Sequence, residues 1–250
     1  MSAARTFTAI VVDDEELARG LLREHLADHP EVRVVAECAN GPEAVRAVGE
    51  HRPDLLFLDV QMPGLDGFET LELLDPVPAV VFVTAYDRYA LRAFEVHAVD
   101  YLLKPYGRER FDTAVARAEA RAAGGERLAA GAVSAVAASA RGPGTFATRL
   151  AFRERDGVAV VPVRAVDYVK AEDDYVLVVA GERRYLRHEP LAALEARLDP
   201  ARFVRVHRSW IVALDRLVKV EEGKWAVLAS GERLPVSRTG AARLKERMAR

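Results

Sequence analysis

The sequence has a single cysteine, Cys38, in 250 residues, so no disulfide can form within the chain and a reducing compartment is favoured. No apolar run approaches the roughly 20 residues that span a bilayer. Acidic residues directly follow the first apolar run, where a signal peptide would have its apolar core and cleavage site. These absences predict a cytoplasmic protein without a membrane partner.

Several enzyme motifs are also missing. The chain contains no Walker motif, no HExxH and no CxxC pair, and its six histidines are scattered. Such motifs mark nucleotide, zinc and redox sites because their spacing brings ligand groups together. Their absence argues against a metal enzyme.

What the chain does have is a strong charge difference between its two ends. The net charge is −2 overall, but residues 1–145 contain 15 basic and 23 acidic residues, whereas residues 146–250 contain 21 basic and 15 acidic residues. A basic half beside an acidic half suggests that the C-terminal part meets a polyanion such as nucleic acid.

The sequence also divides by composition. Residues 123–146 are rich in Ala, Gly and Ser and show no steady apolar period, which is typical of a flexible linker. A chain of this length suits two domains. We predict one domain over residues 1–122 and a second over residues 147–250.

Within residues 1–122, short runs of Val, Ile, Leu and Phe alternate with segments of helical period. Strands of that composition belong in a parallel sheet covered by helices on both faces. The pattern predicts an α/β fold, a doubly wound, flavodoxin-like sheet of five parallel strands with five helices. Ligands of such sheets bind beyond the carboxyl ends of the strands.

Five polar residues follow the predicted strands at that edge: Asp13, Asp14, Asp59, Thr84 and Lys104. Asp59 could act as a carboxylate nucleophile, and the three carboxylates together could hold a hard divalent cation such as Mg²⁺. The Thr84 hydroxyl and the Lys104 ammonium could then bind phosphoryl oxygens. A lone aspartate at a strand end more often caps the next helix, and Asp14 could do so, but all five together predict phosphoryl transfer to Asp59.

The segments VVDDEE, LDVQMPGLDG, VTAY and DYLLKP resemble those of response-regulator receiver domains. This resemblance implies that Asp59 accepts a phosphoryl group from a phosphohistidine of a sensor histidine kinase. It also implies that Asp14 ligates Mg²⁺ directly, Asp13 mainly through water and Gln61 through its carbonyl, and that the bond between Lys104 and Pro105 is cis.

The same resemblance implies a switch in which the hydroxyl of Thr84 is coupled to an aromatic residue, here Tyr101. The responding surface would be residues 88–99 together with Tyr101, which often forms a dimerisation face in the family. We expect phosphorylation to raise the dimer content.

After the linker, short strand-like runs separated by turns predict a mainly β domain with two helices. The segments RFVRVHRSWIVAL and PVSR resemble the LytTR DNA-binding domain, an all-β fold of about ten strands that places loops in successive major grooves. Trp210, Val204, Val206 and Ile211 are expected in the core. Ala213 stands where the family usually has Asn.

The resemblance maps base contacts onto the loop around Asp173, Asp174 and Tyr175, onto Arg208 and onto Arg238. Arginine suits this role because its fork reaches both acceptors of a guanine. Phosphate contacts, which fix register without reading sequence, are expected from four further residues: Arg205, His207, Ser209 and Lys224.

Three other functions compete with a transcription regulator. A phosphatase of the haloacid dehalogenase type needs an acid two residues after the nucleophile, where this chain has Gln61. A flavodoxin-like cofactor binder would need backbone donors where the strand ends have acids. The C-terminal domain could also be an adaptor for protein or RNA. We predict a non-enzymatic, Mg²⁺-dependent regulator that binds double-stranded DNA as a homodimer when phosphorylated.

Overall fold

The computed structural model describes residues 5–90, 93, 96–125, 146–155 and 157–248. The chain forms two compact units, an N-terminal and a C-terminal one. Most of the predicted linker, residues 126–145, lies outside the described residues, so its flexibility stays a prediction.

The N-terminal unit contains one parallel sheet. Its order is β2-β1-β3-β4-β5, and every neighbouring pair is parallel. The five strands are β1 (Phe7–Val12), β2 (Val32–Cys38), β3 (Leu55–Leu58), β4 (Ala79–Thr84) and β5 (Asp100–Leu103). The predicted five-stranded doubly wound sheet is confirmed.

Four helices of this unit lie wholly within the described residues: α1 (Glu16–Leu26), α2 (Gly41–His51), α3 (Gly67–Leu71) and α4 (Arg108–Ala123). Asn40 caps α2, because its side-chain oxygen accepts the N–H of Glu43. Asp66 and Glu69 form a reciprocal capping box at the start of α3. The fifth predicted helix falls in a segment with four undescribed residues, 91, 92, 94 and 95.

The strands are buried because helices cover both faces of the sheet. All four residues of β3 and all six residues of β4 are buried. On one face, Phe57 of β3 stacks with Phe111 of α4, with ring centroids 5.8 Å apart. Continuous apolar strands thus fix the sheet in the interior and leave only the strand ends for polar side chains.

The C-terminal unit contains ten strands in its described residues. They are β6 (Arg149–Glu154), β7 (Gly157–Pro162), β8 (Tyr168–Glu172), β9 (Tyr175–Ala180), β10 (Arg183–Arg187), β11 (Phe203–His207), β12 (Trp210–Ala213), β13 (Leu217–Glu221), β14 (Trp225–Leu228) and β15 (Arg233–Pro235). The mainly β domain is therefore confirmed.

These strands form three sheets, with orders β10-β9-β8-β12-β11, β13-β14-β15 and β6-β7. The first two are antiparallel throughout. Gly181 makes the turn between β9 and β10 with a φ of 59°, and Gly231 makes the turn between β14 and β15 with a φ of 88°. Both are left-handed conformations that glycine adopts without strain, as the hairpin prediction requires.

Two helices pack on these sheets, α5 (Leu191–Arg197) and α6 (Arg238–Met248). Ile211 belongs to the core cluster that contains Leu191 and Leu194 of α5, whereas Val204 and Val206 belong to the cluster that contains Leu244 of α6. The central sheet therefore has an apolar core on each face.

Three of the four core predictions are confirmed. Val204, Val206 and Ile211 are buried. Trp210 is only half-buried because it lies at the end of β12, where its ring packs against Tyr168 and under the ammonium of Lys170.

Candidate functional site

Three carboxylates meet at the carboxyl edge of the parallel sheet. Suitable oxygen atoms of Asp13, Asp14 and Asp59 all lie within 4.8 Å of one another. Asp13 is fully buried and Asp59 nearly so, whereas Asp14 is exposed. Helix α1 is capped by Glu15 without a side-chain hydrogen bond, so the alternative role of Asp14 as a helix cap does not occur here.

Lys104 connects this cluster to the last strand. Its Nζ lies 2.6 Å from Oδ2 of Asp13 and 3.7 Å from Oδ2 of Asp59. The peptide bond between Lys104 and Pro105 is cis, as the resemblance to receivers implied. The ammonium therefore lies against two of the three acids, where it could also reach an anion bound to Asp59.

Thr84, at the end of β4, completes the group. Its hydroxyl is fully buried and makes no hydrogen bond of good geometry within the described residues, although it lies close enough to Asp59 to favour the ionised carboxylate. Burial nevertheless dominates and raises the pKa of Asp59 above its ordinary value, against the opposing charge of Lys104. A buried hydroxyl without a hydrogen bond of good geometry is costly, so a further acceptor beside Thr84 would be stabilised.

The loop after Asp59 is held close to the start of α3. The N–H of Gln61 donates to Oδ1 of Asp59 at 3.3 Å, and the N–H of Gly67 donates to the carbonyl of Val60 at 2.8 Å. A Cβ atom on Gly67 would lie 2.4 Å from the carbonyl oxygen of Asp59. Only glycine allows this approach, which fixes the backbone that carries the Asp59 side chain.

Tyr101 lies on the same sheet face as Thr84. Tyr101 pairs with Phe82 in the β4–β5 ladder, and Phe82 is two residues from Thr84, so the side chains share a face. The Tyr101 hydroxyl donates to the carbonyl of Tyr86. Burial raises the pKa of Tyr101 to about 12. The ring is half-buried, and its role as a switch stays a prediction.

The donor set fits a hard divalent cation. It offers carboxylate oxygens, which Mg²⁺ prefers, and three carboxylates against one ammonium leave a negative excess that like-charge repulsion makes unfavourable. A cation among Asp13, Asp14 and Asp59 would remove that excess. The geometry of Gln61 as a carbonyl ligand stays a prediction.

The predicted DNA contacts of the second unit lie at one end of its central sheet. The N–H of Ala171 donates to the carbonyl of Ser209 at 2.9 Å, which places the β8–β9 turn beside the β11–β12 turn. The N–H of Ser237 donates to the carbonyl of Val206 at 2.8 Å, and the N–H of Val236 donates to the carbonyl of Lys224 at 2.7 Å. The structure thus brings together segments that are up to 65 residues apart in sequence.

Exposure distinguishes among these residues. Five predicted contact residues are exposed: Asp174, Tyr175, Arg208, Lys224 and Arg238. Arg205, His207 and Ser209 are half-buried, and the Ser209 N–H donates to Nδ1 of His207 at 3.3 Å. The exposed group is accessible to a ligand, whereas Arg205 and His207 of the half-buried group already use side-chain nitrogens within the protein.

Sequence reasoning missed how α6 is attached at this site. The Ser237 hydroxyl accepts the N–H of Gly240 at 3.0 Å and donates to the carbonyl of Val206 at 3.1 Å, so it caps α6 and fastens it to β11. A Cβ on Gly240 would lie 1.9 Å from that carbonyl oxygen. A Ser directly before a helical segment could have indicated the cap, but nothing in the sequence indicates the contact with Val206.

A polar cleft of about 460 Å³ lies beside these turns, lined in part by Arg205, Arg208 and Arg243, with Glu195 on its wall. Arg243 and Glu195 were not predicted as site residues. Arg243 could have been suspected from its position on α6, in the same helix as Arg238. Glu195 could not, because its role depends on how α5 packs.

Both units match known domain families. Residues 9–116 match the response regulator receiver domain, and residues 156–249 match the LytTr DNA-binding domain. The fold and the two sites thus define a receiver followed by a DNA-binding module of the LytTR class.

Relatives share this arrangement over nearly their whole length. A response regulatory protein of Vibrio cholerae is 36% identical over 249 residues, covering 94% of this chain and 95% of its own. The sensory transduction protein LytT of Bacillus cereus is 33% identical, covering 95% and 97%. The transcriptional regulatory protein BtsR of Salmonella typhi is 36% identical, also covering 95% and 97%. The chain belongs to the LytTR-type response regulators.

Proposed function

We propose that this protein is a transcription regulator whose DNA binding is controlled by phosphorylation of Asp59 by a sensor histidine kinase. The observation that carries the proposal is the grouping of Asp13, Asp14, Asp59, Thr84 and Lys104 at one sheet edge. The chain's membership in the LytTR-type response regulators supports the same function.

The chemistry is a phosphoryl transfer between two side chains. An oxygen of the Asp59 carboxylate forms a P–O bond while the P–N bond of the kinase phosphohistidine breaks, and the departing imidazole takes up a proton. Bound Mg²⁺ would supply charge neutralisation for the transferred group. Lys104 would bind one phosphoryl oxygen by its ammonium, and the buried Thr84 hydroxyl would donate to another.

The acyl phosphate is proposed to act as a signal and not as a catalytic intermediate. Gln61 occupies the position where a haloacid dehalogenase phosphatase needs an acid, and its Nε2 lies 3.5 Å from the Tyr89 hydroxyl. The side chain therefore has no carboxylate with which to activate a water. This supports a long-lived phosphoprotein over a dedicated hydrolase.

The signal is proposed to leave the site through Thr84 and Tyr101. When Thr84 turns toward a phosphoryl oxygen, space beside it opens on the sheet face that Tyr101 shares. Tyr101 would then exchange its bond to the Tyr86 carbonyl for a buried position. Such a two-state element is what a phosphorylation must bias to have a distant effect.

At the other end of the chain, the C-terminal unit is proposed to read duplex DNA with its turns. Arg208 and Arg238 are exposed. Arg208 directly follows β11, and Ser237, next to Arg238, is hydrogen-bonded to Val206 of the same strand. Arginine can bind both acceptors of a guanine edge, while the exposed Lys224 would bind phosphate. The exposed carboxylate of Asp174 would accept from a cytosine amine.

Dimerisation is proposed to join two such modules. Two weakly binding units on neighbouring half-sites act as one tighter binder through effective concentration. The predicted dimer face, residues 88–99, includes the undescribed residues 91, 92, 94 and 95, so this face stays a prediction.

None of the helices in the described residues is long and apolar enough to cross a membrane.

Selection of duplexes from a random pool tests this function. The full chain is incubated with Mg²⁺ in the presence and absence of beryllofluoride, an acyl-phosphate mimic, and bound duplexes are sequenced. We expect enrichment of paired half-sites with the mimic, together with a dimer in sedimentation. Failure to retain any duplex at low salt would favour the adaptor function, and an unchanged monomer with the mimic bound would exclude phosphorylation-driven dimerisation.

A further inference from the structure

Arg205, on β11, binds three groups of the protein with its guanidinium. Its Nη1 lies 2.8 Å from Oε2 of Glu195, its Nη2 donates to the carbonyl of Arg208 at 2.6 Å, and its Nε donates to the carbonyl of His207 at 3.3 Å. All three guanidinium nitrogens are thus engaged, and three of the five N–H donors are satisfied.

The two carbonyls that Arg205 holds belong to the turn that presents Arg208. The ladder between β11 and β12 is irregular at this point, with a register shift between Arg205 and His207. Such a bulge leaves backbone groups without ladder partners. Arg205 supplies partners for the carbonyls of the turn, while Ser237 supplies them for the carbonyl of Val206.

Glu195 binds the same guanidinium through Nη1. Glu195 lies on α5, whose apolar residues pack in the core, so the backbone that carries its carboxylate is held in place. The side chains of Glu195 and Arg205 are 37% and 26% exposed. At this exposure the ion pair contributes little to stability. Because the guanidinium is planar and rigid, however, its bonds to Glu195 and to the two carbonyls hold the turn at a fixed position relative to α5.

We propose that Arg205 and Glu195 form a positioning pair that sets the β11–β12 turn so that Arg208 meets a base edge, and that Arg205 is not a phosphate contact. This inference rests on the proposed DNA binding and revises the sequence-based expectation for Arg205. Two N–H donors of Arg205 remain, but the three satisfied ones hold the guanidinium against two backbone carbonyls of the turn and a carboxylate.

Two substitutions separate positioning from phosphate binding. Arg205→Lys keeps the charge but loses the fork, so a phosphate contact would survive while the turn would loosen. Glu195→Gln removes a negative charge near DNA, so simple electrostatics predicts tighter binding, whereas loss of a positioning partner predicts weaker binding. Matched controls are Arg202→Lys and Asp215→Asn, because this ion pair of 2.9 Å flanks the same hairpin but does not reach its turn.

DNA binding is measured by fluorescence anisotropy of the full chain on its selected duplex over a range of salt. We expect Arg205→Lys and Glu195→Gln each to weaken specific binding by about fivefold to tenfold, with an unchanged salt slope. The double variant should lose no more than either single one, because the pair acts as a unit. Wild-type binding in Arg205→Lys, or tighter binding in Glu195→Gln, would overturn the proposal. So would a salt slope reduced by about 1 in Arg205→Gln, which marks a lost phosphate contact.

A measurement without DNA keeps this inference distinct from the proposed function. Amide hydrogen exchange of Arg208 and Ser209 in the free protein should be faster in both variants than in wild type and in both controls. Unchanged exchange in the turn would overturn the positioning role even if DNA binding is established. If exchange changes as expected but wild type binds no duplex, the proposed function fails and the part of the inference that concerns base contact fails with it.

Discussion

In both units, the first turn of a helix packs against the backbone of a strand end through a glycine. In the receiver unit, α3 begins against the backbone of Asp59, and Gly67 makes the approach possible. In the C-terminal unit, α6 begins against the backbone of Val206, and Gly240 makes that approach possible. In each case a helix start fixes the strand end next to the candidate site residues.

The difference lies in where the functional groups point. The receiver gathers buried side chains at the carboxyl ends of parallel strands, and only Asp14 of the three carboxylates is exposed. The C-terminal unit instead presents exposed side chains on turns between antiparallel strands, such as Arg208 and Arg238. A small group is enclosed by the first arrangement, whereas a long polyanion can be reached only by the second.

The largest effect on stability is expected when the glycine at either helix–strand contact is replaced. Gly240→Ala places a methyl group on a backbone carbonyl that cannot move away cheaply, so we expect it to destabilise the C-terminal unit by about 1–3 kcal/mol or more. Gly67→Ala should do the same to the receiver. Because both tryptophans, Trp210 and Trp225, lie in the C-terminal unit, their emission during urea unfolding reports that unit alone.

Gly20→Ala is the matched control, since Gly20 lies in α1 and the nearest atom to its added Cβ is 4.0 Å away. It should be neutral or stabilising by about 0.5–1 kcal/mol, the helix preference of alanine over glycine. Within the receiver, Gly67→Ala should be less stable than Gly20→Ala, and equal stability of these two variants would refute the close approach of α3 to Asp59. A Gly240→Ala variant as stable as wild type by tryptophan emission would refute the close approach of α6 to β11.

The next largest effect concerns Mg²⁺ affinity at the enclosed carboxylate site of the receiver. Asp13→Asn removes a buried carboxylate from the cluster, so we expect Mg²⁺ affinity measured by calorimetry to fall about tenfold or more. Asp54→Asn is the control, because Asp54 precedes β3 and accepts from the N–H and hydroxyl of Thr8 at the opposite edge of the sheet. An equal loss in both variants would indicate a general charge effect and no specific site.

A smaller effect concerns the pH dependence of stability, which Asp100 should change in the receiver and not in the C-terminal unit. Burial alone would raise the pKa of Asp100, but bonds from Arg110 and the Tyr101 N–H, with the charge of Arg117, hold it below its ordinary value. A lowered folded-state pKa contributes stability above the unfolded pKa of about 4 that is lost as pH falls through the folded value. Both arginines are largely exposed, so we discount the gain to about 1–2 kcal/mol.

The difference in receiver stability between wild type and Asp100→Asn should therefore be constant above pH about 5 and shrink below about 4. Far-UV circular dichroism reports both units, and tryptophan emission, which reports the C-terminal unit alone, separates the receiver's transition from it. A difference that grew on acidification would mean that the sign of the Asp100 shift is wrong.

The contrast between the units also explains what could be predicted from sequence. Asp13, Asp59, Thr84 and Lys104 were predictable because parallel strands end at one edge and apolar runs show where each strand ends. Arg208 and Arg238 came from a resemblance. The ties of Arg205 to Glu195, and of Ser237 to Val206, were not predictable, because they depend on a bulge and on how two helices pack.

Control of DNA binding by Asp59 is the central claim, and Asp59→Asn tests it most directly. Anisotropy of the full chain on a selected duplex, with Mg²⁺ and with or without beryllofluoride, should show about tenfold tightening in wild type. Asp59→Asn should keep the basal affinity and show no tightening. Equal tightening in wild type and Asp59→Asn would contradict the account and assign the acceptor elsewhere.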